Sequence, residues 1–446
     1  MDDFADLILV PLLYVVLLPY LASILIVSLA AFRGRRSGES SGPRGLVDPP
    51  RRRYLIVIPA HDEQEGVAGT VRSCLAIDYP ATLFDVLVVA DNCSDETAAR
   101  AKEAGARIVA RSNETMRSKG YAIEFLLGRL RETGEFDALD AIVIVDADTT
   151  VHPNFLRVFD RGLEAGHEWV QCYDSVGNGD RSWRTRLMAY AFSLMNGVRL
   201  QGCTALGLSA ALRGNGMCLS TRGLERVPWQ AHGLAEDLEY SWKVRIAGGR
   251  IAFDRDGVVY ATMLARGGKA LQDQRRRWEV GRRELRRKLF RPLLFSGHLG
   301  PMERIASLVA LTMPTVASLS AAYLALSLIV ALRFPIMRSS RGDGYLIAIG
   351  TCHAIATLAL LVHLASPFLL SFLPWRFALS LFYFPYYACW KFAISLRPRP
   401  REWVRTEREP IGPPREDAAL AKVRKPLAPA SSMGEQHMTG QCHSRV

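Results

Sequence analysis

The chain has 446 residues, 49% of them hydrophobic and 22% charged, with a formal net charge of +12. That length allows two to three domains, and eight cysteines standing singly, with no C-x-x-C pair, exclude a disulfide framework or a zinc-finger spacing. The excess positive charge collects beside apolar segments, at residues 33–53 and 275–291. This argues for a lipid surface rather than nucleic acid, for which no aromatic-interleaved basic motif is present.

Residues 7–32 form an apolar run long enough to cross a bilayer. Acidic Asp2, Asp3 and Asp6 precede it and Arg33, Arg35 and Arg36 follow it, the reverse of a secretory leader. By the positive-inside rule the amino terminus is expected outside and residue 33 onward inside. Residues 34–53 read as a Gly-, Ser-, Pro- and Arg-rich linker.

From Tyr54 onward Val/Ile runs alternate with helical patterns. Strands are expected at 55–58, 86–89, 107–109 and 141–145, and helices near 65–76, 95–104 and 119–130. Continuous apolar strands between helices predict a parallel α/β sheet covered on both faces. Such sheets bind ligands at the strands' carboxyl ends. Three ends here are polar: residues 59–63, residues 90–95, and Asp146-Ala147-Asp148.

Asp146 and Asp148 are two residues apart after a buried strand, so both carboxylates can face one ligand. Hard oxygen donors of this kind suit Mg2+ or Mn2+ bridged to a diphosphate, although two turn or helix-capping aspartates would look the same. Residues 182–200 read either as an interfacial amphipathic helix or as a core helix. Further apolar stretches are expected at 302–332, 345–372 and 377–396, the last interrupted by Pro385. Three carboxy-terminal spans would leave Arg397, Arg399 and Arg401 outside, so two spans plus an interfacial or re-entrant element at 367–382 are expected. The tail from 397 is basic and Pro-rich, its last part expected to lack order.

Taken in order, Ile58-Pro59-Ala60-His61-Asp62-Glu63, Val89-Ala90-Asp91-Asn92, Asp146-Ala147-Asp148, Glu236-Asp237 and Gln274-Arg275-Arg276-Arg277-Trp278 resemble the membrane-bound inverting glycosyltransferases of family 2. Cellulose, hyaluronan and poly-N-acetylglucosamine synthases and ceramide glucosyltransferase belong to that family. The resemblance implies a cytosolic GT-A nucleotide-sugar-binding domain, residues 54–297, inserted between transmembrane helices at 1–33 and 298–396, in a bacterial inner membrane. It places Asp62, Asp91, Lys119, Asp146 and Arg277 at the UDP-sugar donor, and the metal on Asp146 and Asp148. It places Gly214, Gly216, Glu236, Gln274 and Trp278 at the acceptor and makes Asp237 the catalytic base.

Each role has a physical ground and a plainer alternative. A carboxylate such as Asp91 can accept from a base N–H or ribose hydroxyl, or can close an Asx turn. Residues 235–239 contain the base, or form an ordinary acidic first helical turn. Lys119 serves the donor or is a solvated helix-start lysine. Gln274, Arg277 and Trp278 share one helix face, yet the continuation 282–290 also reads as a basic helix on lipid. Two departures stand out: Asn92 where the family often has a second Asp, and Ala235 where it has Thr. The expected reaction is hexose transfer, glucose or N-acetylglucosamine, to a polysaccharide, with a lipid acceptor as alternative. Partner subunits, a non-catalytic binding subunit and a nucleotidyltransferase are the remaining readings.

Overall fold

The computed structural model describes residues 8–37 and 49–395, so the acidic amino-terminal residues, most of the linker and the tail from 396 lie outside the described residues. Helix α1 is Val10–Ser37. The α/β domain then runs β1 Tyr54–Ala60, α2 Val67–Leu75, β2 Phe84–Asp91, α3 Thr97–Glu103, β3 Arg107–Arg111, α4 Lys119–Glu132, β4 Ala141–Ile144, β5 Thr149–Val151 and α5 Phe155–Glu164. It continues with β6 Trp169–Val176, α6 Trp183–Phe192, a π turn Ser193–Val198, α7 Arg199–Ala205, β7 Met217–Ser220, α8 Thr221–Arg226, α9 Glu236–Ile246 and β8 Ile251–Ala261. Then come α10 Lys269–Phe295, α11 Pro301–Thr312, α12 Val316–Ser340, α13 Asp343–Leu369, a 3-10 turn Trp375–Tyr383 and α14 Phe384–Ser395.

The eight strands form one mixed sheet in the order β3-β2-β1-β4-β7-β6-β8-β5. The first four are parallel, as their unbroken apolar runs require, while β7 is antiparallel to both β4 and β6. Every side chain from Tyr54 to Ile58 is buried, so neither face of β1 meets water. On one face Val67, Val71 and Cys74 of α2 pack with Phe155 and Phe159 of α5, and each fully buried Phe stabilises the domain by roughly 1.5–3 kcal/mol. The register aligns Ala60 with Ala90 and Val57 with Ile144, so β1, β2 and β4 end along one edge. Because β6 runs parallel to β4 across β7, it also delivers its carboxyl end, Asp174, to that edge.

Among the described residues three helices are long and apolar enough to cross a membrane: Val10–Gly34, Val316–Ser340 and Asp343–Leu369. The apolar stretch expected at 302–332 is not one helix. Helix α11 ends at Thr312, and Met313 to Thr315, with Pro314 between them, turn the chain before α12 begins. Pro has no N–H to continue the helix and disfavours helical geometry in the residue before it. The last apolar stretch is likewise divided, into the 3-10 turn and α14.

Residues 183–205 form one helical run through the π turn, and it joins the two regions. Its inner face packs on α1, where a Cβ at Gly202 would lie 2.1 Å from the Val27 carbonyl oxygen. Gln201 donates to the Ala31 carbonyl at 2.8 Å, and Tyr190 donates its hydroxyl to Leu364 of α13 at 2.9 Å. This segment is therefore a core helix for the domain and a contact for the apolar helices together. Gly202→Val places a side chain inside backbone, and by overpacking it should cost about 1–3 kcal/mol. A lower Tm of the detergent-solubilised protein is the expected result, whereas an unchanged Tm would contradict the α1–α7 contact.

Candidate active site

The three polar strand ends meet as expected, but they do different things. Asp91, the last residue of β2, is buried, and its Oδ1 accepts from Arg111 Nη1 at 2.5 Å and from Asn92 Nδ2 at 3.1 Å. Arg111 closes β3 beside it and donates Nη2 to the Met116 carbonyl at 2.8 Å. The guanidinium offsets the cost of burying the carboxylate and fixes its orientation through Oδ1.

Asp62 is placed otherwise. With φ at 52° it turns its Oδ1 to the backbone N–H groups of Ser94 at 2.7 Å and Asp95 at 3.3 Å, stapling the β1 loop to the β2 loop. It does not line the cavity described below. Gly216 is also a packing residue: its φ is +65° and a Cβ there would lie 2.2 Å from Cys172 Sγ, so its requirement is close strand contact.

Lys119 opens α4, with Ser118 capping the helix by accepting from the Tyr121 N–H. Its Nζ donates to Asp146 Oδ1 and to the Gly214 carbonyl at 2.6 Å, and it lies 4.0 Å from Glu236. The helix can enter this closely because residue 120 has no side chain: a Cβ there would sit 1.9 Å from the Ala231 carbonyl oxygen. Burial opposes the Lys119 charge, but Asp146, Glu236 and Asp237 together hold its pKa above the ordinary lysine value.

Asn215 completes the frame. Its Oδ1 accepts from the Asp146 N–H at 3.1 Å, while its Nδ2 donates to Thr149 Oγ1 at 3.0 Å and Asp174 Oδ1 at 3.1 Å. Asp174 is fully enclosed; burial first, then the Asp146 charge, push its carboxyl well above the usual range.

Glu236 and Asp237 begin α9 across the cavity from Lys119. Gly214, in the left-handed region with φ at +83°, faces Asp237, where an added Cβ would stand 3.4 Å from Oδ2. Burial raises the Asp237 carboxyl, with Lys119 and Arg213 acting against it. Glu236 is pushed up to about 7 by burial, opposed by Lys119 and reinforced by Asp237.

From α10, Gln274, Arg277 and Trp278 all reach the same cavity. Gln274 Oε1 is buried without a hydrogen-bond partner, and the Trp278 ring carries the Arg275 guanidinium 4.6 Å from its centroid. Farther along this helix Leu285, Leu289 and Leu293 pack on Trp242, Leu299 and Leu311. The second half of α10 therefore has its apolar stripe inside the protein.

A cavity of about 1350 Å³ joins these groups. Its lining includes Asp91, Asp146, Asp148 and Lys119 together with Glu236, Asp237 and Gly214. Apolar residues line it as well, among them Ile26 and Val27 of α1 and Ile305 and Val309 of α11. All the expected site residues except Asp62 and Gly216 contribute to it. Arg111 and Asp174 were not anticipated. Arg111 ends β3 as Asp91 ends β2, a signal open to a reading by register, whereas Asp174 carries no local motif.

A metal-bearing diphosphate site needs hard oxygen donors with negative charge to spare. The Asp146–Asp148 end has them, since Asp146 and Asp148 crowd the buried Asp174 and among the described residues Lys119 is the cation paired to Asp146.

A model of the glycosyltransferase-like family 2 matches residues 49–281, just over half of the chain, and the chain belongs to that family. The domain is its GT-A fold, with candidate membrane helices on both sides. The chain is 26% identical over 236 residues, 51% of its length and 48% of the relative's, to the beta-monoglucosyldiacylglycerol synthase of Trichormus variabilis. It is 24% identical over 246 residues to the Synechocystis protein of the same name, covering 52% of this chain and 48% of that one. The match thus spans about half the length of these relatives. Among solved structures, a mannosyltransferase from Pyrobaculum calidifontis in complex with GDP-Man and Mn2+ aligns with a TM-score of 0.49 at 17% identity, over 80% of this chain and 99% of that one. Glucosyl-3-phosphoglycerate synthase from Mycobacterium tuberculosis, in complex with Mn2+, UDP and phosphoglyceric acid, aligns at 0.36 with 21% identity, over 53% and 78%.

The raised acids set a pH limb. Turnover that needs Asp237 ionised should fall as the pH is lowered, with its acidic limb above the ordinary aspartate range, because burial raises that carboxyl. Glu236→Gln removes one of two neighbouring negative charges, so the acidic limb of kcat/KM should move to lower pH. A limb that stays in place would show that the two acids do not share the site.

Proposed function

We propose that this chain is a membrane-integrated inverting transferase that moves a hexose, glucose or N-acetylglucosamine, from a UDP-sugar to a lipid acceptor. The observation that carries this reading is the cavity, which is lined both by the carboxylates at the sheet edge and by apolar residues of α1 and α11. The expected polysaccharide acceptor gives way here, because residues of apolar helices form part of the cavity wall and the curated relatives are named for a glucosylated diacylglycerol.

In this reading Asp91 accepts from the uracil or ribose, with Arg111 fixing its orientation. Arg277 clamps diphosphate oxygens and Gln274 Oε1 receives a sugar or acceptor hydroxyl that satisfies its open valence. Asp237, ionised, removes the acceptor proton as the acceptor oxygen attacks the anomeric carbon from the face opposite the leaving diphosphate. Asp148 and Asp146 would hold Mg2+ or Mn2+, which when bound neutralises charge on the departing diphosphate. Lys119 fixes Asp146 and supplies a second positive charge at that end. The acidic-before, basic-after arrangement around α1 favours a cytoplasmic catalytic domain on a bacterial inner membrane. The intact set of carboxylates is what a catalyst needs and a purely binding subunit does not.

Membranes containing the protein, given a panel of UDP-sugars, should release UDP with one of them. Asp237→Asn should lower kcat by about 10²–10⁴-fold while leaving UDP binding intact. Undiminished turnover in this variant would remove Asp237 from the base role. A chelator should abolish release and added Mn2+ or Mg2+ restore it; release that persists in chelator would contradict the metal assignment.

A further inference from the structure

Two further cations line the cavity. Arg199 opens α7 directly after the π turn, and Arg213 lies in the loop between α7 and β7; both are half-buried and both line the cavity. Arg199 makes no hydrogen bond or ion pair among the described residues. Arg213 donates Nη2 to the Met195 carbonyl at 3.1 Å and keeps a buried Nε with no partner.

Their neighbour Arg245 is already committed, with Nη2 on the Ser209 and Ala210 carbonyls at 2.8 and 2.6 Å, Nη1 on Ser307 at 3.2 Å, and Glu303 3.7 Å away. Burial, and then the Arg199 charge, bring Arg213 down to about 10, with Asp237 acting the other way. The Arg213 contact to Met195 sets it against the same helical run that carries Arg199, and the Asp237 charge acts on it. Their surroundings include Ile26 and Ile305, 53% and 62% exposed on α1 and α11. Two like charges beside apolar walls are unfavourable until an anion joins them.

We propose that Arg199 and Arg213 bind the phosphate of the acceptor, which is a phospholipid whose headgroup carries a free hydroxyl beside its phosphodiester. This deepens the lipid-acceptor reading and rests on it. The headgroup hydroxyl meets Asp237, which takes its proton while the oxygen bonds to the anomeric carbon. The bond from that carbon to the diphosphate breaks, and its electron pair leaves on UDP. A neutral diacylglycerol leaves both arginines without an anion. A lipid whose phosphate oxygen is itself the nucleophile brings no hydroxyl proton for Asp237.

The full chain, reconstituted in phosphatidylcholine vesicles containing phosphatidylglycerol, diacylglycerol or a polyprenyl phosphate, is given its UDP-sugar, and lipid products are identified by mass spectrometry. Phosphatidylglycerol should be glycosylated in preference to the other two. Arg199→Gln and Arg213→Gln should each raise the KM for it by about tenfold or more, the loss of one charge-assisted hydrogen bond. The KM for the UDP-sugar should not change, which separates a lost contact from a lost fold. Among the described residues Arg199 has no hydrogen-bond or ion-pair partner, so its variant should also keep the wild-type Tm. Preferred transfer to diacylglycerol or polyprenyl phosphate, or an Arg199→Gln variant with unchanged lipid KM, overturns the proposal. Sugar transferred to a soluble glycan with no lipid product would instead overturn the lipid-acceptor reading beneath it.

Discussion

Lys119 is the cation around which the site is assembled. It starts a helix, reaches the carboxylate that ends β4, and holds the carbonyl of Gly214 in the loop that enters β7, with Glu236 4.0 Å away. Asp146, Asp148, Asp174, Glu236 and Asp237 would otherwise repel one another in a poorly solvated cleft. The fold answers with one ammonium at the centre, a guanidinium on Asp91, and the Asn215 amide bridging the Asp146 backbone to Asp174. Through these bonds the position of α9, and hence of Asp237, is tied to the sheet edge where a nucleotide would lie.

The second constraint is where this cleft opens. A helical run with a π turn carries the domain onto α1 and α13, and π turns are frequent at functional sites because they re-aim side chains without ending the helix. Here the turn precedes Arg199. Asp237 thus lines a cavity that it shares with the carboxylates of the sheet edge and with apolar residues of α1 and α11.

Much of this arrangement is legible in the amino acids themselves, and the reasons for the misses are physical. Strands β1, β2 and β4 announce themselves because they are buried on both faces and are written almost wholly in Val, Ile and Leu. Strand β6 mixes Gln171 and Asp174 with Cys172 and Tyr173, and β7 has only four residues, so neither carries a period to recognise. The break at 313–315 hides inside a hydrophobic stretch because hydropathy does not register a change of direction. Residue type also does not say where a side chain points: Asp62 at a strand end looks like a ligand and proves to be a loop staple, while Gly216 meets Cys172. Arg213 and Asp174 take their significance from Asp237 and Asn215, which only the folded sheet brings near them.

The central claim is that sugar is delivered once, to a lipid, at Asp237. Mass spectrometry of the lipid and aqueous fractions, after incubation of protein-containing membranes with an isotope-labelled UDP-sugar, tests it most directly. The account predicts a single labelled glycolipid, one hexose heavier than its acceptor and absent with the Asp237→Asn chain. A labelled ladder of oligosaccharides in the aqueous fraction, with no labelled lipid, would contradict it.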